Sequence, residues 1–177
     1  LAEHAAENRG VGSSILPLAT MSGRTQARLR PGRPEDAPAL SGLAMRSKGH
    51  WGYDRKFLDA CRDELTIAPD RAAALRITVA EVDGVAAGFV SLEGEPPTGE
   101  IGHLFVDPPF IGSGLGRTLF DAAVDTARSG GFAAFAVDAD PGAEGFYLRM
   151  GAVRIGTSAS GSIPGRRLPR LRYDVPP

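Results

Sequence analysis

The sequence predicts one mixed domain, α/β or α+β, in which strands and helices alternate over most of the chain. Three observations predict it. Short apolar runs, alternating or unbroken, recur between residues 26 and 175 and read as strands. Apolar residues at helical spacing separate several of them. Near the centre, an apolar strand runs through a proline break and a glycine-rich stretch into an amphipathic segment. The 177 residues, 42% of them apolar, suffice for a single domain with a sizeable core, and no internal repeat is visible.

Taken in order, residues 1–24 are rich in Ala, Gly and Ser and read as an N-terminal extension to a domain spanning 25–177. Their apolar patch, Ile15-Leu16-Pro17-Leu18, is too short and lacks the basic start of a secretory signal, and Met21 is a candidate natural start. Gln26 to Arg30 alternates as a first strand. Arg33-Pro34-Glu35-Asp36-Ala37 then opens a helix with Leu40, Leu43 and Ala44 on one face. A second helix, from about Tyr53 or Asp54 to Leu65, turns Phe57, Leu58, Cys61 and Leu65 inward. Cys61, the only cysteine, cannot make an internal disulfide, and its place on that face suits a small buried hydrophobe.

Strands follow from Leu75 to Val82, Ala86 to Leu92 and Glu100 to Val106, the first two joined by Asp83-Gly84, a hairpin signal. The helix from about Gly114 to Arg128 places Leu115, Leu119, Ala122, Ala123 and Ala127 on one face and Asp121 and Asp125 outside, and Gly130-Gly131 ends it. Phe132 to Val137 reads as a strand buried on both faces. Asp140 is the expected N-cap of a short helix that Gly151 closes, with Pro141 in its first position. Two last strands, Ala152 to Gly156 and about Arg167 to Val175, flank a Ser/Gly/Pro-rich loop.

The central stretch, Leu104 to Arg117, carries the strongest chemical signal. The first turn of a helix leaves its backbone N–H groups without partners at the positive end of the macrodipole, and glycines at 112, 114 and 116 let a bulky anion approach them. A diphosphate fits that arrangement. The nucleotide P-loop is excluded because Arg117 and Thr118 follow Gly116 where Lys and Ser/Thr would be needed. The dinucleotide fingerprint is excluded because the position that needs its last glycine holds Arg117.

The stretch resembles motif A of the GCN5-related N-acetyltransferases, the GNAT superfamily, whose pattern is V-x-P followed by Q/R-x-x-G-x-G/A. Val106-Asp107-Pro108 supplies the first part and Ile111-Gly112-Ser113-Gly114-Leu115-Gly116 the second, with Ile in place of Gln or Arg. A second match lies downstream, where the family often carries N-x-x-A-x-x-F-Y and then a glycine. Asp140, Ala143, Phe146, Tyr147 and Gly151 fall in that register, with Asp for Asn. The resemblance implies the acyl-CoA N-acyltransferase fold, a single mixed sheet of six to seven strands with helices on both faces, in the order β-α-α-β-β-β-α-β-α-β-β.

It implies acetyl-CoA as cofactor, its diphosphate held by the backbone of residues 111–117, its pantetheine arm paired with the backbone of Leu104, Phe105 and Val106, and Asp140, Ala143 and Phe146 nearby. Arg117 is a candidate diphosphate contact or an i,i+4 partner for Asp121. The acceptor is an amine on a small molecule or peptide, and the segment linking the first two helices, with Lys48, His50, Trp51 and Tyr53, is the candidate acceptor site. Packing of Trp51 and Tyr53 between the helices is the plain alternative.

Transfer of acetyl from a thioester to an amine needs a proton acceptor for the amine and a proton donor for the departing thiolate. By its place in the motif Tyr147 resembles the tyrosine that gives that proton in many relatives, and a phenol of pKa ~10 stays protonated at neutral pH. The alternative is an aromatic on a helix face. Glu100 and His103 are the base candidates, and strand alternation sends them to opposite faces. The C-terminal Arg166, Arg167, Arg170 and Arg172 suit an acidic acceptor or the cofactor's 3′-phosphate, or else a solvated edge strand.

No metal is implied. A formal net charge of −1 gives no general footprint for nucleic acid, and no apolar run approaches the roughly 20 residues that span a bilayer, so the cytoplasm is the expected compartment. Dimers are frequent in the family, which admits a homodimer. The expected activity is N-acetyl transfer by direct attack in a ternary complex. Its rivals are a catalytically silent acyl-CoA sensor and a transferase acting on hydroxyls or with longer acyl chains.

Overall fold

The computed structural model describes residues 27–70, 72 and 75–177. The extension expected at 1–24, with Met21, lies outside the described residues. Seven strands form one sheet in the order β1-β2-β3-β4-β5-β7-β6. They are β1 (Arg28–Pro31), β2 (Ile77–Val82), β3 (Val85–Glu95), β4 (Thr98–Val106), β5 (Ala134–Asp138), β6 (Val153–Ala159) and β7 (Arg167–Asp174). The helices are α1 (Ala37–Gly49), α2 (Arg55–Ala60), α3 (Arg62–Leu65), α4 (Leu115–Ser129) and α5 (Glu144–Arg149). The element order matches the sequence reading except that the second helix breaks at Cys61, which caps α2 and starts α3.

Two apolar layers cover the two faces. On one, Leu115, Leu119, Phe120, Ala123 and Ala127 of α4 pack with Tyr147 of α5 against Val90, Leu92, Phe135 and Val137. Phe120 is the hub, its ring edge-on to Phe135, Phe146, Tyr147 and Tyr173 at 5.1–6.3 Å. On the other face, Leu40, Leu43 and Ala44 of α1, Cys61 between α2 and α3, and Leu65 of α3 pack on Val79 and Phe89. Each of these leucines is almost wholly buried, which stabilises the fold by about 1.5–3 kcal/mol apiece.

The β2–β3 turn at Asp83-Gly84 has positive φ at both residues, 52° and 78°, as a two-residue hairpin of that twist requires. β3 and β4 run longer than their apolar patterns suggest, because the ladder continues past Leu92 to Glu95 and turns at Pro96-Pro97, whose peptide bond is cis. β7 lies between β5 and β6, so the arginine-rich strand is internal and β6 is the edge. That corrects the edge-strand reading of the basic cluster. Its arginines have partners on neighbouring segments, Arg166 with Asp140, Arg167 with Thr157 and Arg170 with Asp138, while Arg172 pairs with Asp174 on its own strand.

One local irregularity matters for the site. Ser91 lies opposite His103 and Leu92 opposite Ile101, which leaves Gly102 as an extra residue in β4. Directly opposed residues share a face, and Ser91 and Glu93 share one in an unbroken strand. Glu93 is opposite Glu100. Glu100 and His103 therefore point to the same side of the sheet, not to opposite sides, because the bulge resets the alternation between them.

Candidate functional site

Among the described residues β4 and β5 are the only parallel neighbours, and their pairing stops early: Thr98 to Ile101 run beside Ala134 to Val137, and nothing described further along β4 pairs with β5. His103 to Val106 pair with β3 on one edge, and the other edge of β4 beyond Ile101 faces an opening in the sheet. A cleft of about 620 Å³ occupies that opening. It runs from Gly112, Gly114, Gly116 and Arg117 on the α4 side, past Leu104 to Val106 and Tyr147, to Ser47, Lys48 and Trp51 on the α1 side.

The glycine loop forms the start of α4. Gly112 and Gly114 have φ of 84° and 92°, a conformation that side-chain-bearing residues rarely adopt, and a Cβ at either would point into open space. Ser113 and Leu115 N–H groups are taken up by Phe110 O and Ser113 Oγ. Among the described residues, those of Gly112, Gly114, Gly116 and Arg117 have no partner. These four donors lie in the loop and first turn of one helix, where the helix dipole adds partial positive charge. The site thus fits a diphosphate. Arg117 lines the cleft, and no ion pair joins it to Asp121 among the described residues.

Tyr147 lies in the middle of the cleft wall and is 5% exposed. Burial pushes its phenol well above the ordinary value, so it is protonated throughout the neutral range. Phe146 lies against Gly116, within 3.4 Å of where a Cβ there would be, and Ala143 also borders the cleft.

The predicted acceptor segment divides. Ser47, Lys48 and Trp51 line the cleft, the Trp51 ring packed over Gly142; His50 and Tyr53 do not. Tyr53 stacks on Phe57 at 4.0 Å and donates its hydroxyl to Asp140 at 2.9 Å. Asp140 also takes Lys48 Nζ at 2.8 Å, Arg166 at 3.1 Å and the N–H of Gly142 at 3.0 Å. Burial alone would raise its pKa, but Lys48, the Gly142 N–H and Tyr53 outweigh that and hold it at about 2. Burial and the same carboxylate push the Tyr53 phenol up. The sequence marked Asp140 as a helix cap, and its cap bond is present, but nothing local announced that residues 92, 87 and 26 positions away would converge on it.

Of the base candidates, His103 lines the cleft. Glu100 does not; its carboxylate lies 3.2 Å from Arg170, which Asp138 shares. Glu64, at the end of α3, also lines the cleft on the His103 side and hydrogen-bonds Ser162 of the β6–β7 loop. It escaped the sequence reading because it sits beyond the motifs. Among the described residues no group of three or more His, Cys, Asp or Glu is placed to hold a metal ion, and no helix is long and apolar enough to cross a membrane.

The family model of the GNAT acetyltransferases matches residues 43–152. A search of curated proteins gives no match. Among solved structures, the chain is similar to a GCN5-related N-acetyltransferase from Rhodopseudomonas palustris, with 27% identity, a TM-score of 0.72 and coverage of 84% of this chain and 96% of that one. The PaiA N-acetyltransferase of Thermoplasma acidophilum, solved with coenzyme A, shares 17% identity, with a TM-score of 0.68 and coverage of 84% and 99%. The yncA protein of Salmonella typhimurium, solved with acetyl-CoA, shares 20%, with a TM-score of 0.61 and coverage of 86% and 95%. The last two likenesses are of fold, and that fold is the acyl-CoA N-acyltransferase fold.

Proposed function

The chain belongs to the acetyltransferase (GNAT) family, and on that premise we propose that it moves the acetyl group of acetyl-CoA to an amine by direct attack in a ternary complex. The observation that carries this reading is the path of the cleft. It begins at four unpartnered N–H groups, follows the unpaired edge of β4 and opens on the opposite face of the sheet beside Ser47, Lys48 and Trp51. A long ligand and its acceptor can thus approach one point from two sides.

When bound, acetyl-CoA supplies the acetyl group as an activated thioester. The N–H groups of residues 112–117 would hold its diphosphate, and Arg117 stands beside them. The β5-facing edge of Leu104 to Val106 offers backbone groups to the pantetheine arm and to the carbonyl oxygen, where preorganised donors act most strongly. Asp140 has its carboxylate committed to Lys48, Tyr53, Arg166 and the Gly142 N–H, so its part is to shape the acceptor side rather than to bond the arm.

Tyr147 holds a proton at its phenol oxygen for the departing sulfur. On the α1 side His103 borders the cleft while Glu100 is engaged by Arg170, which favours His103 as the group that takes the amine's proton. Lys48 and Trp51 border the acceptor's approach, and Tyr53 supports them through Asp140; His50 packs edge-on against Trp51 at 5.7 Å.

The test is release of free thiol from acetyl-CoA across a panel of amines, amino acids and peptides, with the acetylated product identified by mass. Turnover with at least one amine and none with matched alcohols is expected. Tight binding of acetyl-CoA without turnover of any acceptor would favour the sensor instead.

A further inference from the structure

Lys48 borders the cleft on the α1 side, and the bonds of its ammonium are incomplete. An ammonium carries three N–H donors. One goes to Asp140 at 2.8 Å, and among the described residues no other acceptor takes the remaining two. The side chain is only 14% exposed, and Nζ otherwise faces the rings of Tyr53 and Phe57 at 5.4 and 5.9 Å.

The charge is unmatched as well. Arg166, 17% exposed, reaches the same Asp140 oxygen at 3.1 Å, and among the described residues no second carboxylate pairs with either cation. Asp140 is ionised in the neutral range, its pKa held at about 2, and the Tyr53 phenol, pushed up by burial and by Asp140, stays neutral. Two cations against one carboxylate leave one positive charge over. Both cations are largely withdrawn from water, where an unmatched charge is costly. The N–H groups proposed for the diphosphate lie at the other end of the cleft, so the surplus falls on the acceptor's side.

We propose that this surplus charge holds a carboxylate of the acceptor, which makes the acceptor an amino acid or another small molecule with both an amine and a carboxylate. This rests on the transferase reading above. The two remaining N–H groups of Lys48 donate to the carboxylate oxygens as charge-assisted bonds. Arg166 does not border the cleft and acts by sharing the charge of Asp140. Carboxylates border the same cleft: Glu64, which bonds the Ser162 hydroxyl, and Asp138, which shares Arg170 with Glu100. A zwitterion thus finds a match for each of its charges, whereas a simple amine or a peptide N-terminus leaves Lys48 unmatched.

The experiment sets each common L-amino acid beside its α-carboxamide and its decarboxylated amine as acceptor, with saturating acetyl-CoA, and reads thiol release and product mass. Ligand-observed NMR of the same compounds with the full chain in the presence of coenzyme A reads binding independently of turnover. At least one free acid should exceed its carboxamide and its amine in kcat/KM by about 10-fold or more. Lys48→Met keeps the apolar stem and removes the charge. It should bring that ratio close to one through a higher KM for the acid, with the acetyl-CoA Kd unchanged, and Lys48→Arg should restore part of it. The comparison in the parent needs no variant, so the proposal stays open to refutation if Lys48→Met folds poorly. Carboxamides or amines used as well as the acids, a ratio that survives Lys48→Met, or no amino acid bound at all would overturn it. Binding that depends on the carboxylate and on Lys48, without turnover of any acceptor, would remove the transferase reading and leave the carboxylate site standing.

Discussion

Lys48 Nζ lies 2.8 Å from Asp140 Oδ2, which joins the last turn of α1 to the loop between β5 and α5 across 92 positions of chain. Tyr53 and Arg166 reach the same carboxylate, so four segments meet on the α1 side of the cleft. Asp140→Ala would leave two cations facing each other without their counter-charge and remove the Gly142 cap. It should lower stability by about 2–3 kcal/mol in urea unfolding. Asp140→Asn, which retains an acceptor for the cap, should lower it by less.

The same carboxylate makes stability depend on acid. Its pKa is depressed in the folded chain, from 3.8 to about 2, so the stabilisation is fully present above about pH 4 and is lost as pH falls through 2. Asp36 is depressed as well, held first by its hydrogen bond to Arg30. The unfolding midpoint in urea, followed from pH 5 to pH 2, should fall more steeply for the parent than for Asp140→Asn.

Two glycines of the β3–β4 pair should respond differently to alanine. At Gly88 a Cβ would lie 2.9 Å from the Phe105 carbonyl oxygen and 2.9 Å from Leu119, both fixed in the core, and Gly88→Ala should cost about 1–3 kcal/mol. At Gly102 it would meet the end of the Glu93 side chain, which can swing into solvent. Gly102→Ala should cost less than about 1 kcal/mol. Thermal unfolding of the two variants beside the parent decides between them.

Much of this architecture is legible in the sequence. Strand and helix order follow from periodicity and punctuation, and the open loop before α4 from three glycines after a strand. What stayed hidden is decided by pairing between distant residues. The bulge at Gly102 depends on how β4 meets β3, and it reverses the expected relation of Glu100 to His103. β7 became internal because β6 docks on its outer side, a choice that the pattern of β7 alone does not contain. The Asp140 cluster gathers side chains from four separate segments. In each case the missing information was tertiary.

Tyr147 makes no hydrogen bond through its hydroxyl to any described residue, so Tyr147→Phe should change stability by less than about 0.5 kcal/mol. If the phenol supplies the proton to the departing thiolate, the same variant should lower kcat by about 10²-fold or more and leave the acetyl-CoA Kd unchanged. Stopped-flow thiol release and equilibrium binding on one preparation separate the two effects.

The most direct test of the account is calorimetric titration of the protein with acetyl-CoA, coenzyme A and NAD, repeated with Gly114→Val and Gly116→Val. Gly114 is at φ 92°, where valine is strained, and Gly116 packs against Phe146 beside two of the unpartnered donors. Micromolar binding of both coenzyme A species and none of NAD, lost in the two folded variants, is the predicted result. A folded parent that binds neither coenzyme A species would contradict the account at its base.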